Sequence, residues 1–222
     1  MDQVNSGKMA RVFFALCPDE RCADKLQLIA ARLTTQLGGR AMRKETLHLT
    51  LVFVGNVSEN SLSDLLAIAT ETAEEFRGLE TEQQKSAPFR GPLHLTLDHL
   101  GYWPHKRILW IGSHHCPPWL AGLADLLAKK LRPWGYSIPA RPLAPHITLA
   151  RNMKLAPEIT ELDAIENAMV AGPVALPIFW PCHDFFLLRS RHTEAGQVYE
   201  KIDKWPLERM NAMNSPEIPD IV

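Results

Sequence analysis

Residues 47–55 read LHLTLVFVG and residues 145–151 read PHITLAR. In both, a histidine and a threonine stand two positions apart with aliphatic residues interleaved. On a β-strand, residues i and i+2 point to one face and i+1 and i+3 to the other. Each segment is therefore a strand that buries leucine or isoleucine on one side and presents an imidazole beside a hydroxyl on the other. The neighbouring sequence places these strands in a fold. Residues 11–17 (RVFFALC) form a short apolar run and read as a buried strand. Asp19 then caps a helix whose apolar positions are Leu26, Ile29, Ala30, Leu33 and Leu37, ending at Gly38-Gly39.

After the first motif, Ser58 and the Ser61–Asp64 pair offer N-caps for a helix with Leu62, Leu65, Leu66, Ala69, Ala73 and Phe76 on its inner face. A polar loop is expected near 77–88. Strand character returns at 93–100 (LHLTLDHL) and 107–112 (RILWIG), with Gly101 to Lys106 as the turn. Pro117-Pro118 opens a helix with Trp119, Leu123, Leu126, Leu127 and Leu131 inward, closed at Arg132-Pro133. Beyond the strand at 146–150, residues 157–169 read as a short helix, and 176–190 and 197–203 as a final hairpin. A polar tail runs from about Leu207 to Val222. The order makes this an α/β (α+β) protein. Two close hairpins require antiparallel pairing, and the similar order of the two halves predicts a two-lobed, pseudo-symmetric arrangement.

Composition narrows the function. The chain has 222 residues, 46% hydrophobic and 22% charged, with 24 Lys+Arg against 25 Asp+Glu. That is the profile of a globular protein able to bury its own core. A net charge of −1 excludes a protein that coats long duplex nucleic acid through bulk charge. The charge is uneven, however: residues 56–84 carry a net of −6 and residues 101–151 a net of +6, and the second motif lies in the basic half. Four cysteines (Cys17, Cys22, Cys116, Cys182) follow neither zinc nor disulfide spacing. No signal peptide or membrane-length apolar run is evident, so a soluble, cytoplasmic protein without membrane contact is expected.

Nine histidines and eleven threonines would give His-x-Thr roughly 0.45 times by chance, yet it occurs three times, at His48, His94 and His146. Two imidazoles facing one phosphate make a metal-free phosphodiester site: a neutral ring serves as general base and a protonated ring as general acid. Thr50, Thr148 and a nearby arginine would hold the non-bridging oxygens. Of the three histidines, His94 is set aside, because its strand continues to Asp98, whose carboxylate repels a phosphate. His146 is followed by Arg151, a candidate phosphate clamp. His48 and His146 therefore form the pair, one in each half.

LHLTLVFVG and PHITLAR together resemble the paired signatures of the two-histidine (2H) phosphoesterases. RVFFAL, LTLDHLGYWPHKRILWIG and VYEKIDKWPL are similar to one branch, the RNA 2′,3′-cyclic phosphodiesterases formerly called 2′-5′ RNA ligases. The resemblance spans residues 10–206, which would form a single two-lobed domain between flexible termini at 1–9 and 207–222. It implies the 2H phosphoesterase fold, a two-lobed pseudo-symmetric sandwich of antiparallel sheets with outer helices around a cleft. The implied reaction is hydrolysis of an RNA 2′,3′-cyclic phosphate end to a 2′-phosphate, without metal or cofactor. The resemblance makes His48 the proton donor and His146 the proton acceptor, with Thr50, Thr148 and Arg151 on the phosphate. Tyr199-Glu200-Lys201 stands where the family often has a Tyr-Thr-Pro-like run.

The expected partner is an RNA with a 2′,3′-cyclic phosphate end or a small cyclic nucleotide, bound by a monomer. Two other readings use the same cleft: a 2′-5′ linkage or another cyclic diester, including ligation, and a non-catalytic RNA-end binding module. His114-His115-Cys116 and Cys182-His183 lack metal-site spacing. Trp110, Trp119 and Trp180 read as core; Phe14 and Trp103 are the aromatics expected near the cleft.

Overall fold

The structure is a computed structural model that describes residues 8–86, 93–154, 174–194 and 196–208. Its strands are β1 (Met9–Leu16), β2 (Arg40–Ala41), β3 (Leu49–Ser58), β4 (His94–Leu97), β5 (His99–Trp103), β6 (Ile108–Gly112), β7 (His146–Arg151), β8 (Ile178–Pro181), β9 (Asp184–Thr193) and β10 (Gly196–Pro206). Its helices are α1 (Glu20–Leu37), α2 (Leu62–Ser86) and α3 (Pro118–Leu131). One sheet runs β10-β9-β1-β3-β7-β6-β5, with β2 added beside β7, while β4 and β8 pair separately. All these pairings are antiparallel. Among the described residues no helix is long and apolar enough to cross a membrane.

The large sheet has two halves, β10-β9-β1-β3 and β7-β6-β5. They meet where Leu49 of β3 pairs with Ile147 of β7. The three helices cover one face. Val12, Phe14 and Leu16 of β1 join Leu26, Ile29 and Leu33 of α1, Leu65 and Phe76 of α2, and Leu123 and Leu127 of α3 in the main core. Phe13 and Ala15 point the other way and form a smaller cluster with Leu188. This alternation corrects the expectation for Phe14: it is fully buried, and of the two β1 phenylalanines it is Phe13 that reaches the cleft, with Trp103 lining it as expected.

Helix α1 begins as its sequence dictates, with the Asp19 carboxylate accepting the Cys22 N–H at 2.7 Å. It ends at Gly38, whose φ of 74° is a conformation that favours glycine. Ser58 caps a 3-10 turn, Glu59–Ser61, that leads into α2. The loop expected from residue 77 is instead further helix to Ser86. Helix α3 buries Leu120, leaving Trp119 half-buried.

The apolar run at 93–100 is two strands. The Asp98 carboxylate accepts from the His114 backbone N–H and ring Nδ1, both at 3.0 Å, and this fixes a corner. β4 before it pairs with β8, and β5 after it pairs with β6. β5 runs through Trp103, so the turn is only Pro104–Lys106. β8 likewise leaves the expected final hairpin for β4, and β9 and β10 form the hairpin alone. Leu207, assigned above to the tail, is 1% exposed and donates its N–H to the His183 carbonyl. The helix expected at 157–169 lies outside the described residues.

Candidate active site

On the face opposite the helices a cleft of about 480 Å³ lies across the β3–β7 junction. His48, Thr50, His146, Thr148 and Arg151 all line it. His94 does not; it sits on β4, outside the large sheet. The register explains the grouping. With Leu49 opposite Ile147, antiparallel pairing sets His48 abreast of Thr148 and Thr50 abreast of His146. The histidines thus occupy one diagonal of a square and the threonines the other. Leu49, Leu51, Ile147 and Leu149 lie behind in the core.

Strict alternation would turn Val52 and Ala150 toward the cleft and Arg151 away from it. The structure shows the reverse. The β1–β3 register shifts between Phe14↔Val52 and Ala15↔Thr50, and the β6–β7 register between Leu109↔Ala150 and Trp110↔Thr148. Each shift is a β-bulge with one extra residue, Leu51 or Leu149, and such bulges re-aim the side chains that follow. Val52 and Ala150 are 4% and 0% exposed, whereas Phe53 and Arg151 line the cleft. The two motifs are therefore alike beyond His-x-Thr: in each, the residue five positions after the histidine returns to the site.

Both imidazoles are held in the same way. His48 Nδ1 lies 2.8 Å from the Thr46 carbonyl and His146 Nδ1 lies 2.8 Å from the Ala144 carbonyl. A carbonyl only accepts, so Nδ1 carries hydrogen in either charge state, and Nε2 is the nitrogen left to exchange protons. Aromatic rings fix the ring planes. His48 packs on Phe13 (4.9 Å between centroids) and edge-on to Tyr199 (4.7 Å). His146 packs edge-on to Trp103 (4.7 Å), with Trp110 behind (6.2 Å). Trp180 is core as expected, but Trp110 is part of this wall.

Burial lowers the pKa of His48 to about 4, against the Thr46 carbonyl and with help from His146 and Arg151. Burial also lowers that of His146, opposed by the Ala144 carbonyl and reinforced by Lys106 and Arg141. Burial raises the pKa of the Tyr199 phenol, against Arg151 and Arg11. The cleft lining holds Arg11, Lys106 and Arg151 and no carboxylate. Among the described residues no three His, Cys, Asp or Glu side chains converge as a metal-holding group. Sequence reasoning did not place Phe13, Arg11 or Lys106 in the site, and it marked Tyr199 only as the start of a departure from the family's Tyr-Thr-Pro-like run. Phe13 and Arg11 share a strand parity, which was a usable signal, but Tyr199 reaches His48 through sheet order, which no local pattern reports.

Two lobes joined at paired His-x-Thr strands, with both imidazoles turned to one cationic cleft, define a two-histidine phosphoesterase. The sequence pattern of the 2′-5′ RNA ligase superfamily matches residues 18–194, and the chain belongs to that family. An RNA 2′,3′-cyclic phosphodiesterase of Thermus thermophilus is 28% identical over 208 residues, covering 89% of this chain and 90% of that protein. One of Escherichia coli is 29% identical over 200 residues, covering 89% and 96%. The crystal structure of E. coli LigT complexed with 3′-AMP superposes with a TM-score of 0.66 at 26% identity, covering 90% of this chain and 99% of that one.

Proposed function

We propose that this protein hydrolyses the 2′,3′-cyclic phosphate at an RNA 3′ end to a 2′-phosphate, with His48 and His146 as the proton-transfer pair. The observation that carries this reading is the diagonal pair of imidazoles, each with Nδ1 tied to the carbonyl two residues earlier. A phosphate centred in the square has one ring on each side, the placement an in-line displacement needs. Relatives named as RNA 2′,3′-cyclic phosphodiesterases support the substrate.

In the free protein burial disfavours the charged form of both rings. A bound phosphodiester anion favours an imidazolium beside it, so one ring gains a proton on binding. Neutral His146 takes a proton from water as the water oxygen bonds to phosphorus. The P–O3′ bond breaks, and His48 gives its Nε2 proton to the departing oxygen. Thr50 and Thr148 donate to the non-bridging oxygens, and Arg151 offsets the charge gathering there. Every group comes from one chain, so a monomer suffices, and no step uses a metal.

The test is turnover of a short RNA ending in a 2′,3′-cyclic phosphate, in EDTA, with the product end identified. A 2′-phosphate is expected, and His48→Ala or His146→Ala should each lose at least ~100-fold in kcat, the scale of acid–base catalysis. A 3′-phosphate product would overturn the leaving-group assignment. RNA binding without turnover would make the protein an end-binding module.

A further inference from the structure

The cleft holds more positive charge than its reacting group requires. A nucleoside 2′,3′-cyclic phosphate carries a single negative charge, which Arg151, five residues after His146, is placed to meet. Arg11 and Lys106 also line the cleft, and no carboxylate does. No salt bridge among the described residues involves any of the three cations. The two surplus cations stand in different lobes, each over an aromatic ring. Arg11 lies 4.8 Å from the Phe53 centroid, and Lys106 lies 5.4 Å from the Trp103 centroid.

The proposed chemistry chooses between them. If His48 protonates the departing O3′, the ribose lies on the His48 side and water enters on the His146 side. The chain leading into the terminal nucleotide then runs over the β1–β3 lobe. Arg11 is two residues before Phe13 on β1, and Phe13 packs against His48. Two residues of strand span ~7 Å, comparable with the spacing of successive phosphates along RNA. Phe53, 44% exposed, backs the guanidinium and orients it into the cleft.

We infer that Arg11, seated on Phe53, is a second phosphate subsite that takes the phosphodiester 5′ to the terminal nucleotide, making the enzyme selective for oligonucleotide ends over mononucleoside cyclic phosphates. This rests on the phosphodiesterase reading above. It also assigns a role to Phe53, the counterpart of Arg151 in the other motif: where one bulge delivers a cation to the reacting phosphate, the other delivers a support for a cation one phosphate away.

The experiment compares kcat/KM for adenosine 2′,3′-cyclic phosphate with that for the dinucleotide ApA ending in a 2′,3′-cyclic phosphate, in wild type, Arg11→Gln, Arg11→Lys and Lys106→Gln. Wild type should favour the dinucleotide at least about tenfold, as a charge-assisted contact to one more phosphate does. Its kcat/KM should fall more steeply with salt, by ~0.7 in log–log slope. Arg11→Gln should remove most of the preference and the extra slope, Arg11→Lys should keep the slope, and Lys106→Gln should leave the ratio in place. Equal use of both substrates by wild type, or an equal loss on both in Arg11→Gln, would overturn the subsite. Collapse of the ratio in Lys106→Gln instead would put the RNA on the other lobe. Absence of all turnover would defeat the phosphodiesterase reading. The subsite would then stand or fall on binding, through the Arg11-dependent preference for ApA 2′-phosphate over adenosine 2′-phosphate.

Discussion

Gly101 lies under the aromatic wall of His146, and replacing it with alanine is the sharpest test of how that wall is built. Gly101 is paired with Trp110 across β5 and β6. A β-carbon at 101 would fall 2.1 Å from Trp110 Cζ2, 2.5 Å from Cε2 and 2.7 Å from Cη2. Carbon contacts settle near ~3.5–4.0 Å, so the indole must withdraw by ~1.5 Å. Its ring neighbours are His99 at 5.4 Å, Trp103 at 5.5 Å and His146 at 6.2 Å, so a displacement toward the cleft side presses on the wall of His146. Overpacking of this kind costs about 1–3 kcal/mol, and ~1 Å of misplacement in a catalytic group can cost ~100-fold in rate. The sign is informative, because glycine to alanine in an unobstructed strand stabilises by roughly 0.5–1 kcal/mol. Urea unfolding should show a lower midpoint for Gly101→Ala at unchanged m-value, with kcat reduced 10- to 100-fold by the same reasoning. Gly101→Ala/Trp110→Leu should recover part of the stability by removing the colliding ring. Wild-type stability and turnover in the single variant would refute the argument.

The depressed pKa values make two further predictions. For kcat/KM, which reports free-enzyme groups, both limbs of the pH profile should lie below the ordinary histidine value, because His48 titrates near 4 and His146 is also lowered. An optimum above pH 7 would contradict this. For stability, the unfolded chain takes a proton on His48 near ~6.5, whereas the folded chain resists until about 4. The unfolded state therefore binds more protons in that window, and stability falls as pH drops through it, by roughly 3 kcal/mol at pH 4. In His48→Gln this part of the slope should vanish in urea titrations at pH 4.5 and pH 7, and an unchanged slope would show that the ring is not desolvated.

The sequence was most legible where chemistry and period coincide. His48-Leu49-Thr50 and His146-Ile147-Thr148 carry their strand pattern and their candidate chemistry in the same three residues, so fold and candidate site are read from one stretch. Arg151 was identified for its charge although its parity was wrong, and only the bulge at Leu149 reconciles the two. Asp98 looked like a residue within a strand because its neighbours are apolar; its corner depends on His114, 16 positions away. The β4–β8 pair and Tyr199 beside His48 were hidden for the same reason, since they arise from sheet order and not from any local pattern. The extension of α2 to Ser86 shows that a polar stretch can remain helical once its preceding turns are anchored.

Within the large sheet, the halves are registered to each other at one pair, Leu49 and Ile147, and each cleft histidine is the residue just before one member. The gap between the two imidazoles is thus set at the seam itself, where relative tilting of the halves displaces atoms least. Arg11 and Lys106 stand farther out on separate halves, where the same tilt displaces atoms most. Under the proposed mechanism, substitutions that reshape the outer strands would alter the contacts made at the rims without changing the spacing of the two imidazoles.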